Sequence, residues 1–169
     1  MTRRRKLTGA VVGAVAGGAA VAVAAVVGLG SASSSAAGSG SGGGSPARLA
    51  VSDGYIPQPL LTDMAAAYLT VRNTGGGAAE LTSVTTPLAA HVTLHTTVGT
   101  TMRQVMSLPV PAGGSLALGL GADHLMLENL TRRPAVGDKV TLTLHFTHAT
   151  PATVTVTVPV RPTTYRPGG

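Results

Sequence analysis

Between His91 and Met126 the chain reads HVTLHTTVGTTMRQVMSLPVPAGGSLALGLGADHLM. This stretch holds three of the five His (His91, His95, His124) and three of the five Met (Met102, Met106, Met126). The chain has no Cys, so a soft-metal site would have to be built from imidazole and thioether, a donor set that suits Cu(I). Neither donor carries negative charge, which favours a soft monovalent ion over Zn(II), whose sites usually recruit thiolate or carboxylate as well.

Such donors must be brought together by the elements that carry them. Residues 91–95 read as a strand in which His91, Thr93 and His95 share one face while Val92 and Leu94 take the other. Residues 96–101, around Val98 and Gly99, read as a tight hairpin, since Gly accepts the positive φ such turns require. With Val98 and Gly99 as the two loop residues, His95 is expected opposite Met102, and His91 opposite Met106. Directly opposed side chains have Cβ atoms roughly 4.5 to 5.5 Å apart, within reach of one ion. His124 and Met126 are separated by one residue, so in an extended segment they share a face while Leu125 and Leu127 anchor it in the core. Two pairs of this kind make an N₂S₂ site.

The run resembles the PCu(A)C family of extracytoplasmic copper chaperones, whose pattern is His, ten residues, Met, twenty-one residues, His-x-Met; His91, Met102, His124 and Met126 fit that count. Surrounding words match as well: VTLH ending at His95, GTTMRQV from Gly99, PAGG from Pro111, GADHLML from Gly121 and VGDKVTLTLHF from Val136. Upstream, VSDGYIP from Val51 and AAYLTVRN from Ala66 are similar to the family's first strands, so the resemblance spans roughly residues 48–160. The first ligand is read two ways. The spacing selects His91, whereas the family's Val-x-Leu strand word and the cross-strand register select His95. The preferred ligand set is His95, Met102, His124 and Met126, with His91 and Met106 in second rank.

The resemblance implies a Cu(I) chaperone that delivers copper to cytochrome c oxidase, alongside Sco-type thiol proteins. It also implies a cupredoxin-like or immunoglobulin-like sandwich. The family's His/Met-rich tail, linked in some members to additional copper, has no counterpart in residues 161–169. Two competing classes are a copper-buffering or resistance protein and a metal-free surface β-sandwich.

Composition bounds the rest. The chain has 169 residues with 23 Gly, 11 Pro, one Phe and no Trp, so one modest domain with a Val, Leu and Ala core is expected beside non-globular sequence. The net charge of +6 suggests nucleic acid until it is located: Arg3, Arg4, Arg5 and Lys6 supply four of the twelve basic residues. The others are scattered without aromatic interleaving, which argues against nucleic-acid binding. The basic cluster precedes an uncharged Ala/Val/Gly/Leu run over 10–29, so residues 1–29 read as a signal peptide or as a membrane anchor with its N-terminal flank in the cytoplasm. No Cys is present to accept a lipid. Residues 30–47 are a Ser/Gly/Ala tether, 48–160 the copper-binding domain, and 161–169 a short disordered tail.

Within the domain, short strands are expected over 67–71, 81–84, 91–95, 101–105, 115–118, 140–146 and 153–160, separated by Gly or Pro. About seven to nine short strands without an amphipathic helix argue for an all-β antiparallel sandwich, preceded here by the N-terminal apolar helix. Leu142, Leu144 and Phe146 are expected inside, leaving His145 and His148 as surface residues. Asp123 reads either as an acceptor orienting His124 or as a loop residue satisfying its own backbone, Met64 as a packing or rim residue rather than a fifth ligand, and Asp138 as a turn residue. No nucleophile with a base, paired carboxylates or phosphate loop suggests turnover.

Overall fold

The computed structural model describes residues 45–167. Ten strands follow one another: β1 (Leu49–Pro57), β2 (Met64–Asn73), β3 (Ala79–Thr85), β4 (Ala89–Val98), β5 (Thr101–Val105), β6 (Leu108–Val110), β7 (Ser115–Leu118), β8 (His124–Leu130), β9 (Lys139–Thr147) and β10 (Thr153–Arg161). Among the described residues there is no helix. The apolar run over 10–29, expected as an export or anchor helix, lies outside the described residues, as does most of the expected tether.

The strands form one hydrogen-bonded path, β5-β4-β8-β2-β1-β10-β9-β3-β6, with β7 also on β2. The expectation of a wholly antiparallel sandwich needs correction. The two arms are stitched together by a parallel pairing, in which Ile56 and Pro57 of β1 run beside Val160 and Arg161 of β10. Chain path explains this: β1 and β10 are far apart in sequence, so no tight turn forces them antiparallel. A single cluster of buried residues draws on both arms, including Leu69, Val71, Leu125 and Leu127 from one and Leu81, Leu142, Leu144, Phe146 and Val158 from the other. The period-2 pattern accounts for it, since Leu142, Leu144 and Phe146 are buried while Thr141, Thr147 and His148 are exposed. Burying one such Leu stabilises the fold by about 1.5 to 3 kcal/mol.

Two local devices fix the end where β2 leaves the sheet. Asn73 is 1% exposed. Its Oδ1 accepts from the Arg48 and Gly75 amides, and its Nδ2 donates to the Gly77 and Val110 carbonyls. It thus pins the Gly-rich turn that the sequence marks at 73–77. Ala47 is fully buried and bridges Ala149, so packed structure begins at the end of the expected tether. At the other terminus Arg161 still belongs to β10, and Tyr165 stacks edge-on against Tyr55 at 4.9 Å.

β2 matters most for the site. Its first half pairs with β8, Ala66 facing Met126, and its second half with β7, Leu69 facing Leu118. β7 and β8 therefore lie end to end along the same edge, joined by a tight loop in which Gly119 N–H donates to the Asp123 carbonyl and Ala122 N–H to the Gly119 carbonyl.

Candidate metal centre

Three adjacent strands build the site. On the β4–β8 ladder, Leu94 faces Leu125 and Val92 faces Leu127, and these four side chains point to the core. The alternate positions necessarily take the other face: His95 is directly opposite His124, and Thr93 opposite Met126. The two imidazoles stack with centroids 5.4 Å apart and planes 27° from parallel.

On the β4–β5 hairpin the register differs from the expectation. Val98 pairs with Thr101, so the loop is Gly99-Thr100, with Gly99 at φ +63°. A two-residue loop with Gly first suits the right-handed twist of the flanking strands, and this moves the turn one residue from the expected Val98-Gly99. Met102 then faces Thr97, and Gln104 faces His95. Moving the turn by one shifts the pairing by two, which preserves the face. Met102 therefore stays on the side of His95 as its diagonal neighbour, at roughly 7–8 Å between backbones, a gap that a long thioether can span.

The second-rank residues are not brought to this point. His91 faces Glu128, four positions along β4 from His95, or roughly 13 Å at strand rise. Met106 lies beyond the end of β5 and is 87% exposed, so the expected His91–Met106 pair does not form. The reason is the same turn shift, together with the end of β5 at Val105, one residue short of Met106.

Burial is graded across the four candidates. His124 is 5% exposed, His95 and Met126 are half-buried, and Met102 is 61% exposed. The nitrogens sit inside and one sulfur lies at the rim. Hydrogen bonds hold the rings. His124 Nδ1 lies 2.9 Å from the Ala122 carbonyl, which also accepts from Thr97 Oγ1 at 3.0 Å. The acceptor that orients His124 is thus a backbone oxygen in the β7–β8 loop and not the Asp123 side chain, one of the two roles the sequence left open for that residue; a carbonyl two residues back leaves no sequence signal. His95 Nε2 lies 3.0 Å from Thr93 Oγ1, which donates to Glu128 Oε1 at 2.9 Å. His95 Nδ1 is buried and has no partner. Thr93 and Glu128 were missed as functional candidates, although both fall at the right alternate positions of their strands.

Beside the site, Met126 also lines a groove of about 830 Å³ with Met64, Leu60, Leu120, Tyr55 and Tyr68. Burial pushes the Tyr55 and Tyr68 phenols up from their ordinary value, so both stay neutral. Among the described residues no three His, Cys, Asp or Glu side chains cluster as metal ligands. A metal at this end would need the thioethers. The unpartnered His95 nitrogen and two thioethers on the same sheet face fit a soft monovalent ion.

The all-β architecture is that of PCuAC domains. The copper-bound PCuAC domain from PmoF2 superimposes with a TM-score of 0.60 at 19% identity, covering 69% of this chain and 95% of that one. The Cu(I) form of DR1885 from Deinococcus radiodurans gives 0.56 at 30% identity, covering 72% and 83%. The chain belongs to the family described as "Putative lipoprotein LpqE-like", whose model matches residues 49–160. It is also 37% identical over 103 residues to "Putative lipoprotein Lxx21020" of Leifsonia xyli; the match covers 58% of this chain and 61% of that relative's length.

Proposed function

We propose that this domain is an extracytoplasmic Cu(I) chaperone whose cargo is held by His95, Met102, His124 and Met126. The observation that carries the reading is the sharing of one sheet face by these four residues across β5, β4 and β8. The Cu(I)-bound state of the 30%-identical DR1885 supports the choice of ion. Neutral imidazole and thioether stabilise the reduced ion and are weak enough to be exchanged for an acceptor's ligands. Transfer is favoured over buffering by the exposure of Met102, since a ligand at the rim can leave while the incoming donor is still arriving. The acceptor in this reading is the copper subunit of a respiratory oxidase, with Sco-type proteins as partners. The family's lipoprotein description and the basic-then-apolar segment over 1–29 support a location outside the cytoplasmic membrane.

Competition of the purified domain against a Cu(I) chelator tests the reading. Retention tighter than micromolar is expected, and Met102→Leu should weaken it at least tenfold while changing stability by less than about 1.5 kcal/mol, the range of a near-isosteric swap. Unaltered affinity would remove Met102 from the site. In cells lacking the protein, normal oxidase activity combined with copper sensitivity would point to buffering instead.

A further inference from the structure

We infer that Thr93 and Glu128 are positioning residues that make His95 bind Cu(I) through Nδ1, while His124 binds through Nε2. A carboxylate oxygen only accepts, so the 2.9 Å contact between Thr93 Oγ1 and Glu128 Oε1 consumes the hydroxyl proton. At the 3.0 Å contact with His95, Thr93 Oγ1 must then accept, and the donor is Nε2–H. A neutral imidazole has one proton, which leaves the lone pair on Nδ1. That is the buried atom with no partner, and such an atom is costly unless something fills its need. At His124 the order is reversed. The Ala122 carbonyl can only accept, so Nδ1 carries the proton and Nε2 the lone pair.

Two imidazoles on directly opposed positions therefore offer different nitrogens. The Glu128–Thr93–His95 chain is the carboxylate-to-histidine support often found behind metal-bound His, here lengthened by one hydroxyl. It lies entirely on the site face of the β4–β8 ladder, where Thr93 faces Met126 and His91 faces Glu128. Loss of such support typically costs 10–100-fold in metal affinity.

This inference rests on the copper reading, and the test separates the two. Long-range ¹H–¹⁵N spectra of the full domain should show His95 Nε2–H in slow exchange with water before loading. On addition of Cu(I), the large nitrogen shift should fall at Nδ1 of His95 and at Nε2 of His124. Thr93→Val should lose the protected proton and weaken Cu(I) about 10–100-fold, Thr93→Ser should keep both, and Glu128→Ala should behave as Thr93→Val, covering the case in which the valine variant fails to fold. Copper bound with its shift at His95 Nε2, or unchanged affinity in both Thr93→Val and Glu128→Ala, overturns the inference and leaves the chaperone reading intact. No Cu(I) retention by the wild-type domain overturns that reading and the ligand role of Nδ1 together.

Discussion

Spacing alone cannot choose between His91 and His95, because both lie on the same face of one strand and each satisfies part of the expected pattern. What separates them physically is distance along β4: His95 faces His124, whereas His91 faces Glu128. Replacing His95 by Ala should therefore lower Cu(I) affinity far more than replacing His91, by at least tenfold in chelator competition; a larger loss at His91 would refute the ligand set. The residue types, the shared face and the His-x-Met pair were legible from the sequence because strand alternation is strict. The supporting Thr93–Glu128 contact was not, because it depends on which β8 residue lands opposite β4, a tertiary register that neither strand encodes by itself.

The β4–β5 hairpin is the element on which the position of the Met102 sulfur depends. Its boundaries follow from composition, and β5 begins and ends where the sequence suggests, yet the two loop residues were misplaced by one. Turn chemistry explains the slip: Gly99 satisfies a positive φ at either loop position, and only the twist of the flanking strands prefers it first. Because nothing lies within 4 Å of a Cβ built there, a side chain would meet no clash, only the backbone cost of φ +63°. Gly99→Ala should destabilise the domain by about 1 kcal/mol in urea unfolding and weaken Cu(I) only through a looser Met102. A drop in affinity as large as that of Met102→Leu would mean that the hairpin does more than carry the sulfur.

Across the domain as a whole, the all-β class was legible from alternation, whereas the parallel seam between β1 and β10 was not, since it joins segments about a hundred residues apart through two backbone pairs. Gly54 allows that closure: a Cβ there would lie inside the envelope of Val158 Cγ1. Just before the start of β9, the Arg132 guanidinium and the Ala135 amide bind the Asp138 carboxylate and hold it below the usual range. A depressed folded-state value means that this contribution is present above about pH 4 and fades as pH falls through the lowered value. The advantage of the native protein over Asp138→Asn in thermal melts should therefore shrink below pH 4 and weaken in high salt. An advantage constant down to pH 2.5 would rule that linkage out.

The stacked imidazoles carry one more implication. Because their opposition is written into the backbone ladder between two central strands, the pair is already set face to face before any cargo arrives, and capture there would spend little on rearrangement. Under the proposed carrier role, an acceptor that must tell a full carrier from an empty one would be left with the hairpin tip and its single outward sulfur to read.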